Sequence, residues 1–238
     1  MTGQMRLRVR ENELKVKIPV LLYHRIVEKP VNKVTDTSIR NFRATLEFLQ
    51  KEGYTTLTSK QYVAIMKGEI QPPEKPILLT FDDATPDFVK TVVPTLDEFG
   101  MNAILFVVTD WIDGPISFSE EHLKGICEKE NISIENHSFN HDEKIWSLNG
   151  SGRSPINREQ AEEQITKANE YIEKITGRRP LLMAYPYGSY NEIVKEVNRE
   201  NGIEFAFKVG YPDEDRYAMG RHYITEQSVD EIAKMIAE

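Results

Sequence analysis

An α/β fold, a distorted or incomplete (β/α) barrel in a single domain, is what this sequence predicts, and three observations predict it. Apolar runs alternate with amphipathic stretches through most of the chain. The runs are short, and several are rich in Val, Ile, Leu and Phe, the composition of parallel strands buried on both faces. At 238 residues the chain suits one large domain but is slightly short of a full eight-fold barrel. Strand–helix alternation implies parallel strands joined by crossover helices. The competing architecture is an open doubly wound sheet, but the chain has no Gly-rich dinucleotide fingerprint.

The expected strands are residues 18–24, 77–81, 103–108, 132–136, 181–185 and 204–209. Helices fall between them. Phe42, Leu46 and Leu49, followed by Gly53, mark an early one, and Gln71-Pro72-Pro73 makes a turn before the second strand. Phe88, Val92, Leu96 and Phe99 recur at helical spacing and Gly100 stops that helix. Asn157 with Gln160 forms a capping-box pattern ahead of Ala161, Ile165, Ala168, Ile172 and Ile175, and Gly177 ends the run. Ser189 with Glu192, and Ser228 with Glu231, give two further capping boxes. Residues 1–17 read as an N-terminal extension and 18–238 as one domain.

Bulk properties exclude several classes. Hydrophobic residues make up 39% and charged residues 29%, which is a globular rather than a disordered composition. The formal net charge of -8 argues against nucleic acid as a partner, because phosphate contacts need clustered Lys and Arg. The one cysteine, Cys127, permits no intrachain disulfide and no Cys-rich zinc site, and it reads as a small apolar helix residue. No apolar run approaches the ~18 residues of a transmembrane segment. The N-terminus lacks an apolar h-region, so no signal peptide is expected; the chain is then cytoplasmic or a piece of a longer secreted or anchored protein.

Four stretches carry chemistry. Asp82 and Asp83 follow an apolar strand at its C-terminal end, where active sites of parallel α/β folds sit. Adjacent residues on an extended chain point to opposite sides. If the chain turns there, one Asp can bind a metal while the other acts as a base; a turn with a helix-capping Asp is the plainer alternative. His137 and His141 also follow a strand, and at spacing i, i+4 they lie on one face of a helical turn and can share an ion. With Asp83 they make a three-ligand set of mixed N and O donors, the number typical of catalytic zinc. The turn Tyr185-Pro186-Tyr187-Gly188 can present a backbone N–H to a developing oxyanion, and its rings can stack on a sugar. By itself it reads as a simple turn. His24 closes the first strand and is either a catalytic acid or a strand-end hydrogen bonder.

Taken together, Thr80-Phe81-Asp82-Asp83, His137-Ser138-Phe139-Asn140-His141 and Tyr185-Pro186-Tyr187-Gly188 resemble, in order and interval, three motifs of the polysaccharide deacetylase family (the NodB-homology domain, carbohydrate esterase family 4). The resemblance spans roughly residues 18–225. It implies a distorted (β/α) barrel with one divalent metal, zinc first and cobalt or nickel as alternatives, held by Asp83, His137 and His141. It implies Asp82 as general base and the Tyr187 N–H as oxyanion donor. The opening Pro19-Val20-Leu21-Leu22-Tyr23-His24 resembles the branch acting on poly-β-1,6-N-acetylglucosamine, in which the domain is circularly permuted; that assigns the acid to His24 rather than to His222. The implied partner is an N-acetylated glucosamine polymer or oligomer and the implied setting extracellular or at the cell surface. Peptidoglycan or chitin oligomers, a small amide, and a non-catalytic carbohydrate-binding relative are the rival readings.

Three departures stand out. Ala84 takes the place of the Gly that usually follows the Asp pair. Ala184 takes the place of the Arg that usually orients the base, with Arg221 the candidate substitute and a surface charge its plainer reading. The Asp-Trp motif that packs on the acid is missing, with Trp111 and Trp146 the candidate replacements.

Overall fold

The computed structural model describes residues 17–146, 155–211 and 215–237. The expected extension therefore lies, up to residue 16, outside the described residues. Every pairing between strands among these residues is parallel. The strands are β1 (Val20–Tyr23), β2 (Arg25–Val27), β3 (Asp36–Ser38), β4 (Thr55–Thr56), β5 (Pro76–Asp82), β6 (Ala103–Val107), β7 (Ile132–Asn136), β8 (Leu182–Ala184), β9 (Phe205–Phe207) and β10 (His222–Tyr223). The main sheet runs β10-β1-β5-β6-β7-β8-β9, with β4 on the edge of β5, while β2 and β3 pair separately. Isolated bridges from Phe207 to Met219 and from Gly210 to Arg221 link its two ends, so the sheet curls into an incomplete barrel.

Eight helices accompany the strands among the described residues: α1 (Ile39–Lys51), α2 (Ser59–Met66), α3 (Val93–Phe99), α4 (Glu120–Cys127), α5 (Glu143–Trp146), α6 (Arg158–Thr176), α7 (Glu192–Glu200) and α8 (Val229–Ala237). None is long and apolar enough to cross a membrane. The Phe88–Phe99 helix starts with a π-helical turn at Phe88–Val92, and Gly100 ends it in the left-handed conformation (φ 64°). Asn157 and Gln160 form the expected capping box of α6, and Ser228 with Glu231 forms that of α8. The Ser189–Glu192 box does not form. Asn191 caps α7 instead, accepting from the Val194 N–H, because Ser189 still belongs to the preceding turn.

Side-chain parity decides what faces the barrel interior. On β5, Leu78 joins the inner apolar cluster with Ile104, Phe106, Leu182, Ala184, Phe205 and Phe207, and Tyr62 of α2 plugs its base. Ile77, Leu79 and Phe81 face the helices α1, α3 and α4. Asp82 shares parity with Leu78 and so ends its strand pointing inward. The same count puts His24 in line with inward-facing Val20, and His137 opposite outward-facing Ile132 and Ile134. Three titratable groups thus converge at the C-terminal rim of the barrel because their strands end there with the same parity.

Candidate active site

Asp82 is buried and holds a two-pronged bond with Arg221, Nη1 to Oδ1 at 2.7 Å and Nη2 to Oδ2 at 2.8 Å. Arg221 is itself buried. Its guanidinium lies 5.5 Å from the Phe106 ring centroid, and its Nε donates to the Lys208 carbonyl at 3.4 Å. The surface-charge reading of Arg221 is therefore wrong: the residue delivers a guanidinium to Asp82 from the position just ahead of β10. Burial opposes ionisation of Asp82, but the Arg221 charge, with His137 beside it, prevails and holds the carboxyl well below the usual carboxylate range.

Asp83 has the opposite environment. Burial raises its pKa, only partly offset by His137 and His24, and its Oδ1 is buried without a hydrogen-bond partner. Two adjacent carboxylates are thereby differentiated, one clamped by a cation and one left open. The divergence comes from the backbone, which turns at Asp83 (φ 76°) and Ala84 (φ 59°). Ala84 keeps the left-handed turn that Gly would adopt without strain, at a cost of roughly 1–2 kcal/mol.

His137 donates from Nδ1 to the Ala184 carbonyl, 2.8 Å away, and its Nε2 lies 3.5 Å from Asp83 Oδ1 and 3.6 Å from Asp82 Oδ2. Ala184, where a relative's Arg side chain is expected, thus contributes its carbonyl. His141 meets His137 at a ring separation of 5.0 Å. The expected helical turn between them is absent: Ser138 (φ 73°) and His141 (φ 54°) curl an irregular loop back on itself instead. Asn136 fixes that loop by accepting from the Ser138 N–H and donating to Asn169 and to the Ile165 carbonyl of α6. Burial, reinforced by the His137 charge, pushes His141 down to about 3, which keeps its imidazole neutral.

Asp83, His137 and His141 offer ligand atoms that all lie within 4.8 Å of one another, the one such group among the described residues. The unpartnered Oδ1 of Asp83 and the fixed ring of His137 fit a divalent ion, and one carboxylate with two imidazoles is a donor set that suits zinc. Of the six non-glycine residues at positive φ among the described residues, five lie in or directly beside these three motifs, Tyr187 (φ 57°) being the fifth. Strain concentrated in this way is characteristic of sites where geometry is over-determined by its surroundings.

His24 sits at the same rim with its Nδ1 buried and unpartnered. Burial lowers its pKa, while Asp82 and Asp83 draw it upward. The ring beside it is Tyr223, at 5.2 Å, and neither tryptophan packs there. Trp111 lies 5.2 Å from His141, and Trp146 is fully buried in the cluster around Ile165 and Met183. His222 neighbours Arg221 in sequence, and alternation along β10 turns it to the opposite face from the guanidinium. Tyr187 is half-exposed, 4.6 Å from His141, and its turn is closed by Gly188 N–H to Tyr185 O and Ser189 N–H to Pro186 O, bonds that leave the Tyr187 N–H unused. The Ala184 carbonyl, Asn136, Trp111 and Tyr223 went unassigned or misplaced in the sequence; only Trp111, already a candidate aromatic, carried a signal.

A curled parallel barrel with an Asp-His-His cluster and a second, cation-clamped Asp at its C-terminal rim defines a hydrolase-type α/β site. The chain belongs to the polysaccharide deacetylase family, whose model matches residues 69–206, more than half of its length. It is 28% identical over 194 residues to YxkH of Bacillus subtilis (strain 168), named provisionally as a polysaccharide deacetylase, covering 82% of this chain and 65% of that one. It is 25% identical over 244 residues to the poly-beta-1,6-N-acetyl-D-glucosamine N-deacetylase of Staphylococcus epidermidis, covering 90% of this chain and 81% of that one. The chain thus spans just under two thirds of the Bacillus relative's length. The deacetylase PplD of Streptococcus pyogenes, solved with acetate, shares the fold at a TM-score of 0.82 and 19% identity, covering 93% of this chain and 98% of that chain.

Proposed function

We propose that the chain is a metal-dependent N-deacetylase that releases acetate from an N-acetylglucosamine polymer, poly-β-1,6-N-acetylglucosamine first. The observation that carries this reading is the split pair: Asp82 clamped by Arg221 and Asp83 open toward His137 and His141. A divalent ion held by Asp83, His137 and His141 would supply a Lewis acid for the acetyl carbonyl and lower the pKa of water.

The chain's own residues do the rest. Asp82, kept ionised by Arg221, takes the proton of the attacking water. The Tyr187 N–H donates to the oxygen that becomes negative as the carbonyl turns tetrahedral. His24 gives a proton to the nitrogen as the C–N bond breaks, because an amine leaves poorly as its anion. Acetate and a free glucosamine unit result. Linkage preference rests on the Staphylococcus relative and on the His24 strand coming before the Asp82–Asp83 strand in the chain. It brings with it an extracellular or cell-surface setting.

The test is acetate release from acetylated glucosamine oligomers of β-1,6 and β-1,4 linkage and from peptidoglycan fragments, with and without chelator. We expect release from the β-1,6 series, lost on chelation and restored by zinc, cobalt or nickel. Release that survives complete metal removal would sink the metal role. Release confined to β-1,4 oligomers or peptidoglycan fragments would move the substrate to those polymers.

A further inference from the structure

Val209 stands just past the C-terminal end of β9, and its side chain is 41% exposed. It joins none of the buried apolar clusters among the described residues. Packing of the core therefore does not account for a branched aliphatic at this position. Its contact with the Tyr187-Gly188 turn does. A Cβ at Gly188 would lie 3.0 Å from the Val209 nitrogen and 3.2 Å from its Cγ2, so turn and valine touch with no room for a methyl group between them. Gly188 directly follows Tyr187 and is in the left-handed region (φ 66°). Valine suits such a contact, because branching at Cβ restricts χ1 and holds the Cγ2 methyl in place.

The same short segment grips Arg221 from both sides of Val209. The Lys208 carbonyl accepts from Arg221 Nε at 3.4 Å, and the Gly210 N–H donates to the Arg221 carbonyl at 3.0 Å. The first bond is long and the second of ordinary length. The Lys208 N–H donates to the Met219 carbonyl at 2.9 Å, which ties the segment to the chain leading into β10. Arg221 in turn carries the guanidinium clamped on Asp82. Three consecutive residues, Lys208, Val209 and Gly210, thus touch both the turn that bears the Tyr187 N–H and the arginine that grips Asp82.

We infer that Val209 is a positioning residue that sets the Tyr187-Gly188 turn and the Asp82–Arg221 clamp relative to each other. This rests on the deacetylase reading, in which base and oxyanion donor act on one carbonyl group and must keep a fixed separation. A displacement of about 1 Å between such groups is enough to cost on the order of 10²-fold in rate. Val209→Ala removes the methyl groups that press on Gly188 and leaves the backbone bonds to Arg221 in place.

The test uses the full chain loaded with zinc. Val209→Ala should lower kcat for an acetylated β-1,6-glucosamine oligomer by ~10-fold or more and leave KM unchanged, because the register of donor and base matters only in the transition state. It should lower hydrolysis of an activated acetate ester by the same factor. Base and oxyanion donor serve both reactions, whereas loss of an acid spares the ester. Val209→Ile, which keeps both γ carbons, should retain the wild-type kcat.

A second readout needs no turnover. In NMR spectra of the amide and guanidinium nitrogens, Val209→Ala should shift the Tyr187 and Gly188 amides and Arg221 Nε together, and by more than Val209→Ile does. A rise in KM with kcat kept, an ester rate spared while amide hydrolysis falls, an equal loss in Val209→Ile, or a shift at the turn without one at Arg221 would overturn the inference. A wild type that releases acetate from no oligomer, with the joint shift present in Val209→Ala, would refute the deacetylase reading and leave the mechanical link between turn and clamp standing.

Discussion

Arg221 reaches across 139 positions of sequence to grip both oxygens of Asp82, at 2.7 and 2.8 Å, in the buried rim of the barrel. A fork of this kind is geometrically specific, and a Lys cannot reproduce it. The family resemblance leads to the expectation of a base-orienting arginine at position 184, where this chain has alanine; the guanidinium beside Asp82 is that of Arg221.

The clamp should be needed for stability as well as turnover. Arg221→Met leaves a buried carboxylate unpaired and should cost about 3–5 kcal/mol in urea unfolding. Adding Asp82→Asn should recover much of that stability, since the orphaned charge is gone, while activity stays absent. A double variant no more stable than Arg221→Met alone would show that the pair is not coupled in the way the geometry indicates.

Metal and base should separate by mutation. His137→Ala should lose the ion by elemental analysis and lose activity, with the fold kept, because the ring contacts only the rim. Asp82→Asn should keep the ion but lose at least ~10²-fold in turnover. Full metal occupancy in His137→Ala would refute the ligand set, and near-normal turnover in Asp82→Asn would move the base elsewhere.

The acid can be isolated by leaving group. His24→Ala should lower amide hydrolysis by ~10²–10⁴-fold and spare an activated acetate ester, whose alcohol leaves without a proton. His222→Ala should spare both. Selective loss of amide hydrolysis in His222→Ala would refute the assignment and, with it, the permuted order of the barrel.

Glu135 ties stability to pH. It faces the barrel interior and accepts from the Leu181 and Leu182 N–H groups at 2.7 and 2.8 Å, yet burial raises it to about 7. A folded-state pKa above the unfolded value means the folded chain binds the extra proton. The associated stability is fully present below the unfolded carboxylate range, about 4.3, and is lost as pH rises through about 7. In chelator, the wild type should therefore lose stability relative to Glu135→Gln across that window, by a few kcal/mol at most. Parallel curves for the two proteins would show that Glu135 is ionised throughout.

The sequence by itself determined the six longer strands of the main sheet, because burial on both faces demands unbroken apolar runs such as Val20-Leu21-Leu22-Tyr23 and Ala103-Ile104-Leu105-Phe106-Val107, and those runs appear as β1 and β6. It also determined that the Asp pair, the His pair and His24 stand at strand ends, since each follows such a run directly. Two-residue strands such as β4 and β10 left no periodic signal, being too short to show alternation. The loop from His137 to His141 looked helical by spacing, and only the hydrogen bonds from Asn136 to α6 and the positive φ at Ser138 and His141 decided otherwise. What tertiary structure alone decided is which residue faces which across the barrel. Arg221, Trp111 and Trp146 are chemically ambiguous as letters. Their roles came from closure of a curled sheet that set Arg221 against Asp82, Trp111 against His141, and Trp146 in the core, contacts between segments that no local propensity encodes.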